Sequence, residues 1–240
     1  MVSYDKYMAR VERILDHNAE TRSLFLRCEG AGLAGCLPGQ FVSLLLPLKD
    51  EVRRRAYSVT WVSPGGELFE ICFDRVPGGK GAEYLFERRI GDPLEFIGPF
   101  GSFVLEPGVA PPLVFIAEGT GVAPIRRMVK HALSGPPGEP VELLYGACAS
   151  WRLLYRAELE ALSRQRSDFR FEALVVPEAQ GRPAALYDRL AAQAARRWDG
   201  PKIDLRLRFY ICGIGEGVIR LRDLLRAAGY ARRSVRYEKW

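Results

Sequence analysis

Histidine is nearly absent from this chain: His17 and His131 are the only two in 240 residues. The five cysteines, Cys28, Cys36, Cys72, Cys148 and Cys212, are scattered and form no Cys-x-x-Cys pair. That distribution leaves no zinc site, no iron-sulfur cluster and, with an odd count, no disulfide framework to expect. No apolar stretch approaches the roughly 18 residues needed to cross a bilayer, so no membrane insertion is expected. The first residues, Met1-Val2-Ser3-Tyr4-Asp5-Lys6, lack the apolar centre of a signal peptide, which reads as a cytoplasmic protein. Charge is not scarce. The net charge of +6 is spread along the chain, with no basic run longer than Arg53-Arg54-Arg55. A nucleic-acid surface would favour a basic stripe interleaved with aromatics, so nucleic acid is not an expected partner. An acidic protein partner fits the charge, as does a composition that is simply rich in arginine.

What is present is a change of rhythm. Up to about residue 100 the chain reads as short strands, over 8–14, 21–27, 40–46, 56–61, 68–74 and 93–98. Glycine and proline turns separate them, and one short helical piece is expected near 81–88. This pattern predicts an all-β antiparallel barrel, since closure removes exposed strand edges. Strands then alternate with helices. Strands are expected over 113–117, 141–145, 171–176, 208–212 and 235–238, and helices over 122–133, 154–164, 186–197 and 217–228. Alternation of that kind makes an α/β unit with a doubly wound parallel sheet. The proposed domains are residues 1–108 and 109–240.

The most informative segment is Pro112-Leu113-Val114-Phe115-Ile116-Ala117-Glu118-Gly119-Thr120-Gly121-Val122-Ala123-Pro124. A buried strand breaks at two glycines and a helix follows. Backbone can then approach a ligand closely, and the helix start points N–H groups at negative charge, a geometry that holds a diphosphate. An ordinary strand-to-helix connection has the same ingredients. Three further segments give it context: Arg55-Ala56-Tyr57-Ser58, the glycine-rich loop Gly78-Gly79-Lys80-Gly81-Ala82, and Cys212-Gly213 at the end of an apolar strand. The chain closes on Arg236-Tyr237-Glu238-Lys239-Trp240.

In order and spacing these motifs resemble the ferredoxin-NADP reductase family of flavoproteins, and the glycine loop is similar to that of the reductase components of aromatic-ring dioxygenases. The resemblance implies an FAD-binding barrel followed by an NAD(P)-binding α/β domain. Arg55 would pair with the flavin diphosphate, Tyr57 would pack on the ring, and Ser58 would lie near N5, with Ala56 in the same segment. Gly79, Lys80, Gly81 and Ala82 would form the second flavin-phosphate segment, where relatives usually place Ser or Thr at the position of Ala82. Losing that hydroxyl removes one hydrogen bond, worth roughly 0.5–1.5 kcal/mol. Gly119, Thr120, Gly121, Val122, Ala123 and Pro124 would take the nicotinamide nucleotide, with Cys212 and Gly213 beside the nicotinamide. Cys212 is not read as a covalent nucleophile, because no histidine lies near it to activate it. Glu238 would be a polar or proton-linked group, and Trp240 a displaceable lid over the nicotinamide position. Ser58, Cys212 and Glu238 are thus the expected catalytic residues.

The implied activity is FAD-dependent oxidation of NADH or NADPH, with single electrons passed to a separate acidic carrier such as a ferredoxin, flavodoxin or oxygenase component. Alternatives are reduction of free flavin or another small molecule, or a non-catalytic nucleotide-binding subunit of a larger complex. NADH is favoured over NADPH. Where NADP-specific relatives carry Ser-Arg, this chain has Val176-Pro177, and Cys148 replaces a further arginine. Arg152 and Arg182 are the nearby substitutes, and Glu178 is a candidate partner for a ribose.

Overall fold

In the computed structural model the described residues are all but 1–4, 31, 49–50, 106–107, 109–111, 178–183 and 200–202. The chain divides into two compact units, Met1–Glu106 and Pro107–Trp240. The anticipated division between 108 and 109 falls among residues outside the described set.

The first unit is a closed six-stranded antiparallel barrel built from β1 (Lys6–Asp16), β2 (Thr21–Cys28), β3 (Phe41–Leu48), β4 (Glu51–Val62), β5 (Leu68–Asp74) and β6 (Pro93–Phe100), in the order β1-β2-β5-β4-β3-β6. Alternation along each strand sends one set of side chains inside. Leu24 and Leu26, Val42, Leu44 and Leu46, and Phe69 and Ile71 fill the interior around Phe96. At roughly 1.5–3 kcal/mol for each fully buried large side chain, this interior is the main stabilising term of the unit. A short helix, α1 (Lys80–Phe86), follows β5 and buries Leu85 against the barrel.

Two readings of this unit need correction. The strand expected over 93–98 runs further, since β6 continues to Phe100, which pairs with Phe41. Strand β4 starts at Glu51 rather than at Ala56, because residues 51–55 pair with the second half of β3. Its side chains from 51 to 56 are all exposed, so this part has no buried face and no periodic signal.

The second unit is a five-stranded parallel sheet of β7 (Leu113–Glu118), β8 (Val141–Ala147), β9 (Phe169–Val175), β10 (Arg208–Gly213) and β11 (Val235–Lys239), in the order β11-β10-β7-β8-β9. Helices α2 (Val122–Ala132), α3 (Arg156–Gln165), α4 (Ala184–Trp198) and α5 (Glu216–Ala227) connect them. Val114, Ile116, Phe209 and Ile211 pack with Leu190, Ala194, Val218 and Leu221 of α4 and α5. Alternate positions of the same strands, Phe115, Leu143, Tyr145 and Tyr210, are also buried, as expected for a sheet covered on both sides. Helix α3 begins two residues later than anticipated. Leu153 and Leu154 are buried anchors, and Tyr155 precedes the helix at φ 56°. Strand order reverses between β7 and β10, which places the switch point of the sheet at the ends of those two strands.

Candidate functional site

Two groups of anticipated residues come together, one within each unit. In the barrel, Arg55 lies on the exposed part of β4 and its side chain crosses the start of α1. A Cβ at Gly81 would lie 3.3 Å from Arg55 Cγ and 3.6 Å from Nε. Arg55 Nη1 donates to the backbone oxygen of Arg54 at 2.9 Å. Gly78 supplies the positive φ, 72°, that turns the chain into α1, and no side chain caps that helix at Gly79. The guanidinium and the N–H groups of this helix start, which no side chain caps, lie over the buried Gly81 and together form a cradle suited to a diphosphate. Ala82 is half-buried and packs against the barrel interior.

Tyr57 is half-buried, meets the ring of Phe73 edge-on at 5.6 Å, and has its phenol pushed up to about 12 by burial. It therefore stays protonated and can offer a ring face and a hydroxyl donor. Ser58 is buried, opposite Phe41 in the ladder.

In the parallel-sheet unit, β7 ends at Glu118 and the chain turns through a 3-10 helix, Gly119–Gly121, directly into α2. The structure thus supplies a helical turn where the sequence suggested only a loose glycine corner. Gly119 has φ 53° and open space at the Cβ position. Gly121 is different: a Cβ there would come within 2.6 Å of the Cys212 carbonyl carbon and 2.9 Å of Gly213 N. Thr120, Val122, Ala123 and Pro124 are buried. The first turn of α2 has no acidic side chain and no side-chain cap, and the 3-10 turn that leads into it begins after Glu118.

Cys212 lies at the end of β10, in register with Ala117 on one side and Glu238 on the other. Its thiol is fully buried and held well above the usual range, first by burial and then by the charges of Glu238 and Glu118. It is a neutral thiol and not a thiolate. Burial also raises the Glu238 carboxyl, while a hydrogen bond from the Trp240 side chain acts in the opposite direction. One oxygen of Glu238, Oε2, is buried with no hydrogen-bond partner. Trp240 is half exposed, but its backbone is stitched down: its N–H donates to Gly213 O at 3.1 Å, and Gly215 N–H donates to its carbonyl at 3.3 Å.

Sequence reasoning did not single out two members of this corner. Glu118 Oε2 accepts the Ile214 N–H at 3.1 Å, and Tyr187, from α4, puts its hydroxyl 3.2 Å from the same oxygen. Glu118 carried a weak signal, a charge directly before a diphosphate-type turn; Tyr187 carried none, because only the packing of α4 brings it here. At the far side of the sheet edge, Cys148 is half-buried, Pro177 is exposed, and Arg152 lies over the ring of Trp151 at 4.6 Å. Glu178 and Arg182 lie outside the described residues. Among the described residues no group of three or more His, Cys, Asp or Glu is arranged to hold a metal ion, and no helix is long and apolar enough to cross a membrane.

The Oxidoreductase FAD-binding domain family matches residues 9–105, and the Oxidoreductase NAD-binding domain family matches residues 115–221. Over its whole length the chain is 32% identical to Ferredoxin--NADP reductase B of Sorangium cellulosum, all of which it covers. It is 27% identical to the Toluate 1,2-dioxygenase electron transfer component of Pseudomonas putida, with 98% of the chain and 67% of that protein aligned. Among solved structures, an Amycolatopsis cytochrome P450 reductase, GcoB, superposes with a TM-score of 0.81 at 23% identity, covering 100% of this chain and 71% of that one. That last likeness bears on the fold alone.

Proposed function

We infer the function from one premise: this chain belongs to the ferredoxin-NADP reductase family of flavoproteins. It is an FAD enzyme that oxidises a reduced nicotinamide nucleotide and passes electrons to a ferredoxin or oxygenase partner. FAD, when bound, supplies the step from a two-electron hydride donor to one-electron delivery. The observation that carries the assignment of residues is the cradle of Arg55, Gly81 and the uncapped start of α1, because an exposed guanidinium lying along a bare helix start fits a diphosphate.

In this reading Arg55 and the segment from Gly79 through Lys80 and Gly81 to Ala82 bind the flavin diphosphate. Ala56 and Tyr57 pack along the flavin, and Ser58 hydrogen-bonds its N5 edge. Gly119 through Pro124 receive the nucleotide diphosphate. Cys212 and Gly213 present a neutral, apolar surface to the nicotinamide. Glu238, whose carboxyl burial raises and whose Oε2 has no partner, is the polar, proton-linked group beside Cys212. Trp240, tethered through its backbone, covers the nicotinamide position with its ring and swings aside by side-chain rotation.

NADH is the favoured nucleotide, because Pro177 and Cys148 offer no cation to a 2′-phosphate. NADPH is the second reading. It is supported by Arg152 on the turn after β8 and by the full-length relative's name as an NADP reductase. The acceptor is a separate acidic electron carrier, in keeping with the net charge of +6.

One anaerobic titration tests the whole scheme. The purified protein should carry or take up FAD, and its flavin absorbance should bleach on addition of NADH, less readily with NADPH. Trp240→Ala should change the ratio between the two nucleotides. A colourless protein that takes up no FAD would end the proposal, and faster bleaching by NADPH would reverse the choice of nucleotide.

A further inference from the structure

The turn that links β10 to α5, residues 213–215, is held from two directions. On one side lies the end of β11, through the two backbone hydrogen bonds of Trp240. On the other side lie Glu118 and Tyr187. The Ile214 N–H points to Glu118 Oε2 at 3.1 Å and to the Tyr187 hydroxyl at 2.9 Å, and the hydroxyl donates to Ile214 O at 2.7 Å. Burial and the neighbouring Glu118 charge both push the Tyr187 phenol up, so the hydroxyl keeps its proton and remains a donor. Tyr187 is buried in the α4–α5 core, and its ring occupies the space where a Cβ at Gly217 would be. A Cβ at Gly213 would come within 2.6 Å of the Tyr187 hydroxyl and 3.0 Å of Glu118 Cβ. The glycines of Cys212-Gly213-x-x-x-Gly217 are therefore a socket for a tyrosine as much as an approach for a ligand.

We propose that Glu118 and Tyr187 are positioning residues that lock the 213–215 turn, and through it fix the backbone of Trp240 and the exit of Cys212 at the nicotinamide end of the site. The inference rests on the functional reading above for its consequence, though not for its geometry. Glu118 sits next to Gly119, in the turn proposed to receive a diphosphate, where a mobile carboxylate would repel the ligand. Binding Ile214 N–H and facing the Tyr187 hydroxyl directs that charge toward β10. Both effects bear on nucleotide binding: the turn is held in one place, and the carboxylate is held to one side. Trp240 is left a fixed hinge, so its ring moves and its backbone does not.

The test uses the full chain with FAD and three variants, Tyr187→Phe, Glu118→Ala and Glu118→Gln. Tyr187→Phe keeps the ring over Gly217 and removes only the hydroxyl. Hydrogen exchange of the nucleotide-free protein reports on the amides of Ile214, Gly215 and Trp240. Steady-state reduction of ferricyanide reports KM for the nicotinamide nucleotide and kcat separately. Losing one such hydrogen bond corresponds to about a tenfold change. Tyr187→Phe and Glu118→Ala should lose about tenfold in protection at those amides and raise KM by a similar factor, with a smaller change in kcat and unaltered FAD content. Glu118→Gln keeps an oxygen for Ile214 N–H and should restore both. Protection and KM matching the parent in Tyr187→Phe and Glu118→Ala would overturn the proposal, as would Glu118→Gln behaving like Glu118→Ala. Failure of the parent protein to oxidise either nucleotide would instead sink the functional reading, while the exchange measurement would still decide whether the lock exists.

Discussion

Gly81 in the barrel and Gly121, Gly213 and Gly217 in the parallel-sheet unit meet different kinds of neighbour. In the barrel, Gly81 is buried beneath side chains that can yield: a Cβ there would stand 3.3 Å from Arg55 Cγ and 3.4 Å from Leu46 Cδ1. In the parallel-sheet unit, Gly121, Gly213 and Gly217 are filled against by the protein itself, by the Cys212 backbone, by Glu118 and by Tyr187. The packed glycines are required for the sheet and helices to close, whether or not a nucleotide binds. A glycine-rich turn in a sequence thus reports a close approach without telling what approaches.

The sharpest break of that contrast is Gly121→Ala. Its Cβ would collide with backbone that cannot rotate away, so a stability loss of about 3 kcal/mol is expected, seen as a lower midpoint in urea. Gly81→Ala should leave the apo midpoint within about 0.5 kcal/mol of the parent and show its effect on flavin binding, because a flexible side chain can yield. Equal destabilisation by the two would erase the difference between Gly81 and Gly121.

Arg55→Ala sharpens the comparison from the other side. The residue is exposed, and its one hydrogen bond in the described structure is to the neighbouring Arg54 carbonyl, so the apo protein should melt as the parent does. A charge-assisted hydrogen bond is worth about 1.5–3 kcal/mol, and FAD affinity should fall by about ten- to a hundredfold in a flavin-quenching titration. Unchanged affinity would remove Arg55 from the site.

The smallest effect belongs to Glu238. Burial raises its carboxyl in the folded state above the ordinary 4.5, so folding favours the protonated form. Its contribution is fully present below pH 4.5 and is lost as pH rises through the folded value. Glu238→Gln should match the parent in urea denaturation at pH 4 and exceed it at neutral pH. A difference that shrinks toward neutral pH would contradict the raised carboxyl.

Much of the architecture was legible because periodicity and punctuation reflect burial. The strands of the barrel and the alternation of the second unit show in their apolar runs, and the family resemblance shows in the segments around Arg55, Gly119 and Cys212. The extension of β4 was not legible, since a strand exposed on both sides has no period. Nor was the late start of α3, where Tyr155 takes φ 56° without being glycine. Tyr187 was invisible for a different reason: 69 residues separate it from Glu118, and nothing local marks the pair.

The amino-acid order by itself determined that there are two units of different class, which strands and helices they contain, and where backbone must turn tightly, because those depend on side-chain period and on glycine and proline. Only the folded arrangement decided which glycines are occupied by protein and which are bare, that Cys212 is flanked by Glu238 and Glu118, and that Trp240 is tied to the Gly213 turn. Those facts depend on which distant residues share a volume, and parallel strands joined through helices bring such residues together without any local sign.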